Sequence, residues 1–351
     1  MAQNENSTSH ILVIRLSAMG DVAMTVPVLS EVCSEYPELK MTFLTRGFFE
    51  PMFTQLPNVE VHTVDVKGKH RGVRGLWKLY KELKKRNIKA VADLHNVLRS
   101  NILKLFFRFS GIPFIQIDKG RAEKKALTAS NNKIFKPLKS THQRYADVFG
   151  SLGLPLSLPK SSSRTRLPMS KKVKELIGDG AQVKLGIAPF AAFQGKMYPL
   201  EFMEVVIENL NKNYAYQLFL FGGGESEAAQ LSRWETKFKG CINCAGKLSF
   251  EEELALISNL DIMLSMDSGN GHLAAIYGVS VITLWGVTHP YAGFAPFGQD
   301  PDSSLFADRG QYPMIPTSVY GNKMPLGYEK AMETIAPEEV IYKIQDVLRE
   351  K

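Results

Sequence analysis

The stretch SMDSGNGHLAAIYGVSVITLWGVTHP, residues 265–290, sets a glycine-rich turn containing an acid, a serine and a histidine between apolar runs. The run LDIMLSM (260–266) predicts a buried parallel strand, Asp267–Gly271 a tight turn, and His272–Tyr277 the start of a helix. A second strand, VSVITLW (279–285), follows. Free N–H groups at a helix start attract anions, and open α/β sheets bind nucleotides where parallel strands end. The stretch therefore predicts a phosphate-binding site.

The size and charge of the chain predict two domains and anionic partners. Its 351 residues exceed the roughly 250–300 at which one hydrophobic core stops growing. The net charge is +8, and the excess lies in two segments of the first half, residues 67–89 and 119–139. These segments are expected to attract anionic surfaces or substrates, although a solvated basic face would have the same composition.

The N-terminal segment MAQNENSTSH has no charged-then-apolar order, and no run of eighteen apolar residues occurs, so the sequence predicts a cytoplasmic protein without a membrane span. Its three cysteines, including the pair in CINC (241–244), are too few for a zinc site without other ligands. CINC is interpreted as a strand, and no metal is expected.

Strand and helix patterns alternate in both halves, which predicts two doubly wound parallel sheets. The predicted strands are HILVIRL, KMTFLTR, VEVHTVD and AVADLH in the first half, and VKLGIAP, YQLFLFGGG, LDIMLSM and VSVITLW in the second. A Pro- and Ser-rich stretch between Ser151 and Lys184 indicates a boundary. The expected domains are residues 1–165 and 166–330, followed by a helix in 331–351 that packs back on the N-terminal domain.

Four motifs in the same order resemble those of glycosyltransferase family 9, the ADP-heptose:lipopolysaccharide heptosyltransferases. The first is ILVIRLSAMGDVAMTVP (11–27), with its strand, Ser-x-x-Gly-Asp turn and helix. GIAPFAAFQGKMYP (186–199) and FGGGESE (221–227) follow, and DSGNGHLAAIYGVSVITLWGVTHP (267–290) is the last. A single motif of this kind is weak, but four in register are specific.

The resemblance implies the GT-B fold, two Rossmann-like domains facing a central cleft, with the acceptor bound by the first domain and a nucleotide sugar by the second. It implies an inverting transfer of heptose from ADP-heptose to a lipopolysaccharide core or related anionic glycolipid. No cofactor is expected. The chain departs from the family at Tyr198, where Trp is usual, and in Pro189-Phe190-Ala191-Ala192. We expect both changes to lie in the donor pocket.

Asp21 follows the first strand, and an inverting transfer needs a carboxylate that removes the proton of the acceptor hydroxyl. From the residues alone, Asp21 is equally explained as a helix cap. The resemblance implies that it is the general base, with Ser17 and Gly20 in the adjoining turn on the acceptor side.

The resemblance also implies a set of donor-binding residues. Lys196 would neutralise the diphosphate, and Glu225 would hold a ribose hydroxyl unless it only caps a helix. Thr288 would reach the diphosphate or only form a turn, and His272 would bind a phosphate oxygen or pack at the helix start. The turn itself supplies Asp267, Ser268, Gly269, Asn270 and Gly271.

DLHNVLRS (93–100) resembles an Asp-x-x-Gly-x-x-x-Ser stretch of the family, with Asn96 where Gly is common. His95, Asn96 and Arg99 are expected to hold an acidic acceptor, with strand-end packing as the alternative. KLFFRF (104–109) mixes aromatic residues and cations, as in a buried helix or a patch that contacts the inner membrane from its cytoplasmic face.

Two other functions remain open at this level. A nucleotide-sugar epimerase of the GT-B fold would bind the same donor without an acceptor. A non-catalytic nucleotide-binding module would leave Asp21 without a task. The sequence has no recognisable nucleic-acid motif, and no nucleic-acid partner is expected.

Overall fold

The computed structural model describes residues 10–178, 180, 182–212 and 215–349. The chain forms two compact units. The first contains the described residues up to Lys119 together with Thr141–Pro159, and the second contains Gly120–Ser140 together with the described residues from Lys160 onward. The expected division at residues 165 and 330 stays a prediction, and residues 1–9 of the polar N-terminal segment lie outside the described residues.

The first unit is built on a five-stranded, fully parallel sheet in the order β3-β2-β1-β4-β5. Elements are numbered along the whole chain. The strands and helices of the first unit are β1 (His10–Ile14), α1 (Met19–Ala23), α2 (Thr25–Glu35), β2 (Lys40–Thr45), β3 (Val59–Thr63), α3 (Gly72–Lys84), β4 (Ala90–Asp93), α4 (Leu98–Arg108), β5 (Phe114–Gln116) and α6 (Thr141–Gly150).

The second unit is built on a six-stranded parallel sheet in the order β11-β10-β9-β6-β7-β8. Its strands and helices are α5 (Arg121–Leu127), α7 (Lys171–Ile177), β6 (Val183–Ala188), α8 (Leu200–Lys212), β7 (Tyr216–Leu220), α9 (Glu225–Lys237), β8 (Cys241–Asn243), α10 (Phe250–Ser258), β9 (Ile262–Met266), α11 (Gly269–Ile276), β10 (Ser280–Trp285), β11 (Ser304–Phe306) and α12 (Pro337–Arg349). Short 3₁₀ helices cover Gly47–Phe53, Gln194–Lys196, Pro290–Ala292, Pro301–Ser303 and Ala331–Thr334.

All eight predicted strands are present, and the α/β class with two doubly wound parallel sheets is confirmed. The prediction that CINC is a strand is also confirmed by β8. The sequence did not indicate β5 or β11. Both are edge strands of three residues, too short for a hydrophobic pattern to stand out.

The start of α11 was predicted wrongly. The helix begins at Gly269, with Ser268 as its N-cap residue in an extended conformation, three residues before the predicted start at His272. Glycine disfavours helix in general, which is why the sequence suggested a turn. Here the backbone of Gly271 packs against Ser265, since a Cβ on this glycine would lie 2.6 Å from the Ser265 hydroxyl oxygen.

The final helix α12 packs within the second unit, against α8, β9 and β10. Its buried residues Val340, Ile341 and Ile344 belong to the same hydrophobic core as the strands of that sheet. The expected packing of this helix on the N-terminal domain stays a prediction. Throughout the described ranges, no helix combines the length and apolar character that crossing a bilayer requires.

Candidate active site

Polar residues follow the central strands of each sheet, at the point where the strand order reverses. In the first unit this point lies between β1 and β4, and in the second between β6 and β9. Loops after adjacent parallel strands diverge there and leave a crevice at the carboxyl ends. Asp21 and His95 follow β1 and β4, while Lys196 and Asp267 follow β6 and β9. Each unit therefore has one cluster at its switch point.

Asp21 of the first-unit cluster forms an ion pair with Arg15. The distance from Arg15 Nη2 to Asp21 Oδ2 is 2.5 Å, and the two side chains are 8% and 27% exposed. The same oxygen accepts the backbone N–H of Ala18 at 3.3 Å, so Asp21 does cap helix α1. In the described part of the chain both polar contacts of this carboxylate use Oδ2, which leaves Oδ1 to accept a proton.

Arg15 is the residue of this cluster that sequence reasoning missed. It lies directly after β1, and its Nη1 donates to the carbonyl oxygen of Leu94, after β4, at 2.8 Å. The Tyr145 hydroxyl donates to the Asp21 carbonyl oxygen at 3.3 Å, and its ring lies 5.9 Å from the guanidinium carbon of Arg15. A cation ending the apolar run HILVI was the available signal. These contacts fix Asp21 at the switch point.

His95 is buried and neutral. Burial lowers its pKa to about 3, with the cations Arg15, Lys119, Arg46 and Arg99 lowering it further. Its Nδ1 accepts the N–H of Leu16, so the proton of the ring is placed on Nε2. These four cations act on His95 together, an arrangement that attracts an anionic group.

Asn96 adopts a left-handed backbone conformation with φ of +46°. Glycine and asparagine are the residues that tolerate this region, which explains why Asn stands where the family commonly has Gly. The Asn96 side chain donates to the Ile117 carbonyl at 3.1 Å, and the buried Asp93 carboxylate accepts the N–H groups of His95 and Asn96. This turn positions His95.

The other predicted acceptor residues lie around the same strand ends. Ser17 is half-buried in the loop after β1, Gly20 lies in α1, and Arg99 is exposed in the first turn of α4. Their acceptor role stays a prediction.

Asp267 of the second-unit cluster holds both Lys196 and Thr288. Its Oδ2 lies 3.0 Å from Lys196 Nζ and accepts the Thr288 hydroxyl at 2.9 Å. The Lys196 and Asp267 side chains are only 13% and 11% exposed, and Thr288 is fully buried. An ammonium group has three N–H donors, so two remain for phosphate oxygens. The Thr288 hydroxyl is used to orient Asp267.

Close backbone packing fixes Lys196. The N–H of Val287 donates to the Gly195 carbonyl at 2.8 Å, and a Cβ on Gly286 would lie 2.2 Å from that same oxygen. Gly321, with φ of +81°, packs against the lysine stem, where a Cβ would lie 2.4 Å from Lys196 Cδ. Sequence reasoning placed Gly195 and Gly286 in motifs without giving them this packing role, and it missed Gly321, because close approach between distant segments leaves no local pattern.

Helix α11 begins two residues after Asp267, the acid of this ion pair. Its first residues are Gly269, Asn270 and Gly271, whose N–H groups have no acceptor within the helix. Among the residues that the structure describes, the shielded Ser268 hydroxyl oxygen has no hydrogen-bond partner. His272 is buried in the first turn. These donors and the positive end of the helix dipole suit an anion.

Glu225 is exposed and is the first residue of α9. The carboxylate that accepts a backbone N–H of the glycine turn belongs to Glu227, whose Oε2 lies 2.7 Å from the N of Gly223. Glu225 and Glu227 both lie in the first turn of α9, where a negative charge suits the helix dipole. The ribose-binding role of Glu225 stays a prediction.

The expectation that Tyr198 lies in the donor pocket is wrong. Its side chain is 1% exposed in the core of the second unit, and its hydroxyl donates to the Ile335 carbonyl at 2.8 Å. Burial raises its pKa. A tryptophan N–H is also a donor beside an apolar ring, so the departure from the family concerns packing rather than substrate choice.

Neither the cysteines nor any other group suggests a metal centre in the described ranges. The buried thiols of Cys241 and Cys244 are free, and burial raises the pKa of Cys241 to about 12. No cluster of three or more His, Cys, Asp or Glu side chains with the geometry of a metal site occurs among the described residues.

The comparisons with known proteins agree on one family. The family model described as glycosyltransferase family 9 (heptosyltransferase) matches residues 76–307, more than half of the chain. The chain is 25% identical over 288 residues to the lipopolysaccharide core heptosyltransferase OpsX of Haemophilus influenzae, covering 80% of each protein. It is 24% identical to lipooligosaccharide heptosyltransferase 2 of the same organism, over 97% of this chain and 99% of that protein.

Solved structures with the same fold include a family 9 glycosyltransferase from Veillonella parvula, with a TM-score of 0.75, 19% identity and 99% of both chains covered. E. coli heptosyltransferase WaaC with ADP has a TM-score of 0.68 at 18% identity, over 96% of this chain and 99% of that chain. The GT-B fold expected from the sequence is confirmed.

Proposed function

Since the chain belongs to glycosyltransferase family 9 (heptosyltransferase), we propose that it transfers heptose from ADP-heptose to a sugar hydroxyl of a lipopolysaccharide core. Its relatives include lipopolysaccharide core heptosyltransferases, and solved relatives of the same fold contain ADP and ADP-2-deoxy-2-fluoro heptose. The observation that supports the proposal best is the Lys196–Asp267 ion pair beside the first turn of α11.

The donor's diphosphate is assigned to the second unit. Lys196 and the N–H groups of Gly269, Asn270 and Gly271 would stabilise the negative charge that develops as ADP leaves. Asp267 and Thr288 hold the lysine in place. Because these donors are fixed before the reaction, little reorganisation is needed during bond cleavage.

The base is assigned to Asp21. Its Oδ1 accepts the proton of the acceptor hydroxyl while the hydroxyl oxygen bonds to C1 of the heptose and the bond from C1 to the β-phosphate oxygen breaks. The electron pair of that bond leaves with ADP, and a single displacement inverts the configuration at C1. Arg15 and the Ala18 N–H hold the carboxylate through its other oxygen.

The test is incubation of the purified chain with ADP-heptose and a lipopolysaccharide core that lacks heptose. ADP and heptosylated core should form in equal amounts, and proton NMR should show an inverted anomeric centre. Isomerised ADP-heptose in the absence of acceptor would identify an epimerase. Binding of ADP without turnover of any acceptor would indicate the non-catalytic module.

Nucleotide preference is tested separately by thermal shift with ADP, UDP, GDP and CDP. A ligand that binds only the native state stabilises it by about 2.7 kcal/mol at a concentration of 100 times its Kd. ADP should raise the unfolding temperature most. An equal shift with UDP would contradict the assignment of ADP-heptose.

The proposal includes peripheral contact of the cytoplasmic protein with the inner membrane through α3 and α4. Four apolar side chains of these helices are exposed, as is Phe109, the residue directly after α4. The exposed fractions are 60% for Val73, 43% for Trp77, 76% for Leu98, 55% for Leu105 and 89% for Phe109. On α4, positions 98, 105 and 109 fall on one face. The rings of Trp77 and Phe106 lie 5.0 Å apart, so the two helices adjoin.

The charge of this surface suits an anionic bilayer. Arg74, Lys78, Lys81 and Lys84 are exposed on α3, whose one acid is Glu82, and α4 contains no acid. The Lys81 ammonium lies 5.6 Å from the Trp77 ring centroid. Exposed aromatic and aliphatic side chains beside lysines are the composition of interfacial helices.

Sedimentation with liposomes at low salt tests this contact. The wild type should sediment with vesicles that contain phosphatidylglycerol, and the Leu105→Gln/Phe109→Gln variant should do so several-fold less. Tyr342→Gln, at an exposed aromatic residue of α12, is the control. Equal sedimentation of both variants, or none of the wild type, would remove the membrane from the proposal.

A further inference from the structure

A cavity of about 720 Å³ lies within the second unit, between residues 125–130 and residues 317–325. The first wall consists of the last turn of helix α5 and the residues after it, and the second wall is a loop, the 317–325 loop. None of the sequence motifs includes this cavity. Its volume lies in the usual range for a small-molecule site.

The lining of the cavity contains cations and hydroxyl groups but no carboxylate. Lys125 and Lys323 supply the two positive charges, and the remaining residues include four Ser or Thr side chains, Asn322 and Tyr320. Tyr320 is 57% exposed. Three of the hydroxyls, those of Thr128, Thr317 and Ser318, donate within the protein, so the lining offers a ligand chiefly its two cations and an aromatic ring. Cations suit an anionic group, and the Tyr320 ring suits the face of a sugar that bears it.

The two walls are tied together before any ligand arrives. Lys133 Nζ donates to the carbonyl of Leu127 at 2.9 Å and to that of Pro316 at 2.8 Å, so one ammonium bridges the chain segments that lead to both walls. Burial, together with Arg309, lowers the pKa of Lys133. Because the walls are already held together, binding of a ligand in this cavity costs little conformational entropy of the protein.

The 317–325 loop is itself ordered by internal hydrogen bonds. The Ser318 hydroxyl donates to Asn322 Oδ1 at 2.8 Å and accepts the N–H of Gly321 at 3.0 Å. The Thr317 hydroxyl donates to the Lys323 carbonyl at 2.7 Å. The loop can therefore present the Lys323 side chain from a defined backbone.

The same loop contacts the second-unit cluster. Gly321 packs on the stem of Lys196, and its Cβ position lies 3.6 Å from Thr288 Cγ2. The N–H of Thr317 donates to the Val287 carbonyl at 2.9 Å. A sugar in the cavity would thus lie behind the loop that contacts the residues assigned to the donor diphosphate.

We propose that this cavity binds a sugar unit of the acceptor that bears a carboxylate or phosphate, with Lys125 and Lys323 as its ionic contacts. The inference rests on the proposed function, and it assigns an acceptor contact to the second unit by itself. Lys124, whose ammonium lies 4.1 Å from the Phe294 ring centroid, and Lys133 have structural roles in the same basic segment.

Saturation-transfer NMR on the full chain tests the proposal with glucuronate, glucose 6-phosphate, glucose and inorganic phosphate as probes. The two anionic sugars should receive saturation, and glucose far less. The affinity for them should fall roughly threefold in Lys125→Gln and in Lys323→Gln, and about tenfold in the double variant, as expected for exposed ion pairs. Lys136→Gln, at an exposed lysine of the same segment that does not line the cavity, is the matched control.

Three outcomes would overturn the proposal: equal signals for glucose, displacement of both sugars by an equal concentration of inorganic phosphate, or unchanged affinity in the double variant. Ala129→Trp, which places an indole ring in the cavity, provides a second variant that should weaken the signal of both anionic sugars. Calorimetric titration with ADP is run on every variant. Unchanged ADP affinity with lost sugar binding locates the effect in the cavity, whereas failure of the wild type to bind ADP would contradict the proposed function instead.

Discussion

Asp21 is the residue on which the proposed chemistry depends most directly. Asp21→Asn keeps the size of the side chain but removes the proton acceptor, so kcat should fall by about 10²–10⁴. ADP affinity, measured by calorimetry, should stay within about twofold of the wild type, because the donor residues lie in the second unit. Glu35→Gln, at an exposed acid of α2, is the control. More than a tenth of wild-type turnover in Asp21→Asn would exclude Asp21 as the base.

Lys196 is the cation that the fold places beside α11. Lys196→Ala should weaken ADP binding by about 10- to 100-fold, the range expected for one lost charge-assisted hydrogen bond. Lys174→Ala, at an exposed lysine of α7, should leave the affinity unchanged. Calorimetric titration with ADP distinguishes the two variants, and equal affinities would contradict the assignment of the diphosphate to this cluster.

At the scale of the element, α11 depends on the contact between Gly271 and Ser265. A Cβ at Gly271 would lie 2.6 Å from the Ser265 hydroxyl oxygen, which is buried and has no hydrogen-bond partner among the described residues. Gly271→Ala should therefore reduce the free energy of unfolding by about 1–3 kcal/mol. Ser265→Ala removes the clashing oxygen without breaking a bond, so the double variant should recover most of this loss.

Urea titrations of the two single variants and the double variant measure this coupling. Gly223→Ala is the control, since a Cβ there meets nothing within 4 Å. Additive effects of Gly271→Ala and Ser265→Ala would show that the hydroxyl is not the obstacle.

At the scale of the whole molecule, buried titratable groups set the pH dependence of stability. Burial and Arg309 lower the pKa of His289 from 6.5 to about 4. Between these values the unfolded chain binds a proton that the folded chain does not, so His289 reduces the free energy of unfolding as the pH falls below 6.5. Glu253 acts in the opposite direction, because burial raises its pKa from 4.5 to about 7. The contribution of Glu253 to the free energy of unfolding therefore decreases as the pH rises through that interval.

A variant separates these opposing effects. In His289→Asn an amide oxygen replaces Nδ1, which accepts the Tyr291 N–H at 3.2 Å, and the titrating group is removed. On raising the pH from 5 to 7.5, the wild type should gain about 2 kcal/mol of unfolding free energy relative to this variant. Urea titrations at both pH values measure the difference, and a constant difference would show that His289 titrates normally in the folded protein.

The sequence alone determined the strands other than β5 and β11, together with their parallel α/β arrangement, because hydrophobic runs bounded by glycine and polar residues are local signals. Its resemblance to the motifs of glycosyltransferase family 9 also implied Asp21, Lys196 and Asp267. The tertiary structure decided what those residues contact. Arg15 reaches Asp21, Thr288 and Lys196 share Asp267, and Gly321 supports Lys196 from a segment more than a hundred residues away. Tyr198 is buried in the core, where its hydroxyl bonds to the Ile335 carbonyl. Contacts of this kind join segments that are distant in the sequence, so they depend on the tertiary arrangement of the chain, and no local sequence pattern encodes them.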